Sequence, residues 1–157
     1  MAAQKNYSWD TPKGVAGGKV DIGFDDVVAR TNEAEDGKMK YGMAVAVGTN
    51  PGFNVTVPGA GTTAEKIEGV VICHPGTEQD MNGKVVVKNN ASLSIMRKGR
   101  IWGRTAADIT PAYGEKAYVV INGDDAGAFT NVADGALDIG AKFGRYTDDG
   151  IAVIELN

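Results

Sequence analysis

Residues Lys142–Asn157 read KFGRYTDDGIAVIELN. The pattern is two short strands around a tight turn, with Asp148, Asp149 and Gly150 at the reversal. Chain ends fray unless something holds them, yet this one stays apolar as far as Leu156. Ile151 and Val153 share one parity, while Ala152, Ile154 and Leu156 share the other. A strand that is apolar on both faces needs cover on both sides. The closing segment is therefore expected to be a central strand in a β-structured core.

The same grammar runs upstream. KAYVVING (Lys116–Gly123) reads as a strand, followed by a turn at DDAGAFTN. KVVVKNNASLSIMRKGRIWGRT (Lys84–Thr105) reads as three short strands, entered through the Asn82-Gly83 hairpin signal. KIEGVVICHPG, FNVTVPG and MKYGMAVAVG read as further strands, as do KVDIGF (Lys19–Phe24) and DVVART (Asp26–Thr31). In KVDIGF, Val20, Ile22 and Phe24 alternate with Lys19, Asp21 and Gly23, the pattern of a half-buried strand. No segment keeps a helical period over the length a helix needs, and the best candidate, AEDGKMK, is interrupted by Gly37. Twenty-two glycines in 157 residues are about twice the usual share and supply the turns.

These signals predict an all-β chain: a compact sandwich or jelly-roll-like barrel of about ten short strands. Residues 1–18 read as an irregular N-terminal arm and residues 19–157 as a single β domain. A chain of this length buries roughly 68–70% of its unfolded surface, so it needs no staple. The single cysteine, Cys73, excludes an internal disulfide. MAAQKNYSWDTPKG has the character of neither a secretory signal nor a membrane anchor. A net charge of −4 argues against a direct nucleic-acid partner.

Catalytic and metal signatures are thin. Cys73 and His74 are neighbours, and adjacent side chains of an extended strand point to opposite faces, so they are poorly placed as a nucleophile pair. One cysteine and one histidine cannot complete a zinc site. Asp25-Asp26, Asp124-Asp125 and Asp148-Asp149 sit beside turns without EF-hand spacing. VAGGKV and GAGTT lack the strand–loop–helix setting of a phosphate loop. Neither cofactor nor enzymatic activity is expected. One charge feature remains: Arg97, Lys98, Arg100 and Arg104 gather around Trp102. That cluster suits either a protected strand edge or a contact patch anchored by Trp102. Tyr7 and Trp9 are the large side chains by which the arm would grip a partner.

The order of several motifs carries a resemblance. VARTNEAEDGKMKYGMAVAVGT is followed by KIEGVVICHPG, then MNGKVVVKNNASLSIMRKGRIWGRT, PAYGEKAYVV, AGAFTN and IGAKFGRYTDDGIAVIELN. Together they resemble the structural cement, or capsid decoration, proteins of tailed bacteriophages over Asp26–Asn157. The resemblance implies a non-enzymatic virion protein, assembled in the bacterial host cytoplasm. It would sit on the outer capsid surface across junctions of the major capsid protein, as a dimer or trimer. Two other readings compete: a carbohydrate- or surface-binding β module of a phage fibre, and a small β-barrel hydrolase or inhibitor. The first needs an aromatic platform, for which 7% aromatic residues is a thin supply.

Overall fold

The computed structural model describes residues 13–74, 83, 85–147 and 149–157. Tyr7, Trp9, Asn82, Asp148 and residues 1–12 of the expected arm lie outside the described residues. Nine strands follow in chain order among the described residues. The first five are β1 (Asp26–Asn32), β2 (Ala44–Val47), β3 (Asn54–Thr56), β4 (Ile67–Val71) and β5 (Ser92–Arg104). Then come β6 (Lys116–Val120), β7 (Phe129–Thr130), β8 (Ala136–Thr147) and β9 (Ile151–Leu156). The one helical piece among the described residues is a 3-10 turn at Ala64–Lys66.

The strands form two rings that share β5. In the first, β1 lies parallel to β3, and β3, β2, β4 and β5 follow antiparallel. The N-terminal half of β5 then pairs with β1, from Thr31 opposite Ser92 to Asp26 opposite Lys98, and closes a barrel. Met39, Val45, Val55, Val71, Val87, Leu93 and Ile95 make up its buried cluster. The C-terminal half of β5 pairs instead with β9, and the order continues through β8 and β6 to β7. A single bridge between Thr105 and Phe129 brings β7 back to the end of β5. Ile101, Val119, Phe129, Phe143 and Ile154 belong to the second cluster, joined by Ala44, Val70 and Met96 from the first ring. Ring closure uses backbone groups that an open sheet would leave on its edges.

β9 lies between β5 and β8 and is buried at every residue from Ile151 to Ile154. This is the central strand that its two-faced apolar pattern demands.

Three expectations change. The stretch Lys84–Thr105 contains one strand of 13 residues rather than three short ones. Its alternation slips midway: Asp26 opposes Lys98 and Val27 opposes Met96, which leaves Arg97 as an extra, bulged residue. Gly99 then takes φ +123°, a conformation that a side chain rarely adopts. The slip lets Met96 and Ile101, at opposite parity, reach the same cluster. Second, Lys19–Phe24 is not a strand. Lys19 makes one bridge to Ile101, after which the chain bends, leaving Ile22 and Phe24 in solvent. Third, several strands are shorter than expected; only Ala44–Val47 of the stretch Met39–Gly48 is extended.

Candidate contact surface

The basic stretch of β5 does not present its side chains together. Arg97 and Lys98 are exposed at the bulge, where β4 and β9 part company along β5. They line an open groove of about 500 Å³ with Glu65, Glu68, Asp138 and Asn157. An ion pair between Arg30 and Glu68, at 2.6 Å, joins β1 to β4 beside it. Lys116 and Asp138, 2.9 Å apart, join β6 to β8. Arg100 is exposed, and its guanidinium meets Asp21 at 2.6 Å. Arg104 turns inward enough for its Nε to donate to the Tyr41 carbonyl at 2.9 Å.

Trp102 is covered by its own chain. It is only 4% exposed and packs with Ile151 and Val153 beneath Ala16 and Val20. The Gly17 N–H donates to the Trp102 carbonyl at 2.7 Å, the Trp102 N–H to Gly18 at 2.9 Å, and the Val20 N–H to Arg100 at 3.2 Å. Gly14 lies so close to the indole that a Cβ there would fall on the ring. Gly17 has φ +81° and sits against the Cys73 amide, which donates to its carbonyl at 2.8 Å. Lys13 pairs with Asp149 across the β8–β9 turn. Residues 13–20 thus form a cover over the outer face of β5 and β9, and an indole beneath such a cover is not an exposed anchor.

Directly after the cover, residues 21–25 turn outward. Ile22 and Phe24 are fully and nearly fully exposed, at 106% and 87%. The Asp21 carboxylate accepts the Gly23 N–H at 3.0 Å, a local turn of the kind aspartate favours. Lys19 pairs with Asp25 at 2.5 Å, and Arg100 holds Asp21 from the other side. The alternating pattern hid these two apolar residues. The signal that would have found them is the run of aspartates around Gly23, which marks a turn.

The chemical candidates are otherwise dispersed. Asp25 is taken by Lys19, and Asp125 accepts the Ala107 N–H at 3.3 Å. Cys73 is half-buried. His74 lines a separate shallow groove with Tyr41, Val87 and Leu93. No group of three metal-ligating side chains converges among the described residues. Among the described residues, three groups depart from their ordinary pKa values. Glu33 is lowered, chiefly because the Thr49 hydroxyl and N–H donate to it. The Lys116 hydrogen bond lowers Asp138, and the same bond raises Lys116. Lys116 and Asp138 are exposed and Glu33 is half-buried, and all three make structural contacts.

Comparison with known proteins supplies the rest. One chain of a solved structure, the capsid of Myoviridae phage XM1, superposes with a TM-score of 0.77, covering 100% of this chain and 98% of that one. Its sequence identity is 16%, so the likeness is one of fold. A search of curated protein sequences finds no match. The family model described as structural cement protein (E217 gp24/Pam3 gp6) matches residues 3–157. The chain therefore belongs to the phage structural cement protein family.

Proposed function

We propose that this protein binds the outer surface of the assembled head and clamps neighbouring major capsid protein subunits against the pressure of packaged DNA, transforming no substrate. The observation that carries this reading is the family match, which spans residues 3–157. The two rings support it physically. With most strand edges already paired, contacts have to come from side chains and loops, and a closed body transmits load without rearranging its sheet.

A clamp works by linkage. A protein that binds only the assembled lattice stabilises it by RT ln(1 + [L]/Kd), about 2.7 kcal/mol per site at a hundredfold excess over Kd. Many copies on one shell multiply that modest figure, and assembly as a dimer or trimer adds avidity. Arg97, Lys98 and Arg100 are the exposed basic contacts in this scheme. Trp102 and Arg104 act from beneath, by holding the segments that carry the surface. Tyr7 and Trp9 anchor the N-terminal arm on a subunit and add contact area there. The virion exterior is the working location, reached by assembly in the host cytoplasm.

Co-sedimentation with emptied, expanded heads tests the reading. The protein should pellet with the heads and saturate at a fixed number of copies per shell. A protein that stays in the supernatant at all concentrations would refute it.

A further inference from the structure

We propose that Ile22 and Phe24 form a braced apolar knob that enters an apolar pocket on a capsid-shell subunit. The inference rests on the capsid-binding reading above and assigns that contact to particular side chains. Single exposed apolar residues are ordinary on protein surfaces. Here two large ones stand two positions apart on one short turn, at 106% and 87% exposure.

The turn is held at both ends and in its middle. The Val20 N–H donates to the Arg100 carbonyl at 3.2 Å at its entry, and β1 starts at Asp26 opposite Lys98 at its exit. Between them, the Gly23 N–H is tied to Asp21, Asp21 to Arg100, and Asp25 to Lys19. A knob fixed in this way loses little conformational freedom when it docks, and preorganisation of that kind favours affinity.

Charge decides the class of occupant. Nucleic acid or an anionic membrane would call on free cations at the base of the knob. Lys19 and Arg100 are instead engaged by Asp25 and Asp21. The base is locally neutral, so a protein surface can cover it without stranding an unpaired ion. Beside Phe24, an open groove is lined by Lys98, Arg100, Glu155 and Leu156. An apolar centre with a polar rim is the anatomy of a protein–protein hot spot. Two side chains cannot supply the roughly 1,200–2,000 Å² of a stable interface. The knob is its centre, and the flanking groove belongs to the rim.

The test is a binding isotherm on emptied, expanded heads. The full chain is compared with the double variant Ile22→Ser/Phe24→Ser and with Phe53→Ser, which alters an exposed aromatic residue outside the contact surface. Circular dichroism and oligomer mass are recorded alongside. The double variant should fold normally and bind about 30-fold or more weakly, the scale of a hot spot, while Phe53→Ser binds as the parent does. Asp21→Asn/Asp25→Asn, which loosens the brace and keeps the apolar groups, should weaken binding by a smaller factor. Parent-like binding by the double variant would overturn the knob and leave the capsid reading intact. Failure of the unaltered protein to bind heads would overturn both. Unchanged head binding with a reduced oligomer mass would reassign the knob to a second copy of this chain and overturn the proposal as stated.

Discussion

Residues 13–20 and residues 21–25 are neighbours on the chain with opposite assignments. The first segment spends its backbone and small side chains on Trp102, through bonds to both sides of that residue's peptide group. The second turns its two largest side chains away from the body and uses its aspartates to hold that posture. One segment is defined by what it hides and the other by what it offers. A fold supporting both at the same strand, β5, can be strengthened or weakened without altering its contacts, and the converse also holds.

Perturbing the hidden side should give the largest effects. Trp102→Ala removes a side chain that is only 4% exposed and should destabilise the protein by about 3–5 kcal/mol in chemical denaturation. Deleting residues 1–18 removes the segment donating and accepting at Trp102 and Cys73, a loss on the order of 3 kcal/mol for its hydrogen bonds alone. Deleting only residues 1–12 leaves those hydrogen bonds in place, so head binding should fall with a smaller shift of the denaturation midpoint than the longer deletion causes. Equal midpoints for the two truncations would erase the distinction between cover and arm. Gly17→Ala is a finer probe. It puts a Cβ at a positive-φ position against backbone, and about 1–3 kcal/mol of destabilisation is expected from strain.

The offered side should respond in reverse. Ile22→Ser/Phe24→Ser should stay within about 0.5 kcal/mol of the parent stability, as exposed sites do. A large loss would mean that the knob packs on this chain.

The smallest expected effect is electrostatic, and it separates the rings from residues 13–25. Glu33 and Asp138 have lowered pKa values in the folded protein. Their stabilisation is present above the ordinary carboxylate range of about 4 and is lost as pH falls through the lowered folded values. Lys116 is raised, so its share is present below about 10.4 and fades as pH rises through the folded value. Glu33→Gln should flatten the acid limb of a stability–pH profile. The knob variant should leave that limb unchanged.

Much of the framework was legible beforehand. β6 and β9 fall within stretches whose apolar pattern marks them, β1 and the end of β8 overlap such stretches, and the double-faced pattern of Ile151–Leu156 places β9 in the interior. β5 was not legible as one strand, because the bulge at Arg97 and the positive φ at Gly99 break its alternation. A cluster of charge with a glycine looks like a turn to any local reading. The same slip concealed the fate of Trp102. Its burial depends on a segment more than eighty positions earlier in sequence crossing its face, and no local pattern carries such information. Ile22 and Phe24 failed in the opposite sense. Their spacing is that of a strand facing a core, and only the turn chemistry of Asp21 and Gly23 reverses it.

The central claim is that this closed β body stabilises a lattice by attaching to it. The most direct measurement is the temperature at which emptied, expanded heads fall apart, followed as the protein is titrated in. The account predicts a disruption temperature that rises with concentration and levels off once the shell is saturated. Disruption at the same temperature with and without saturating protein would contradict it.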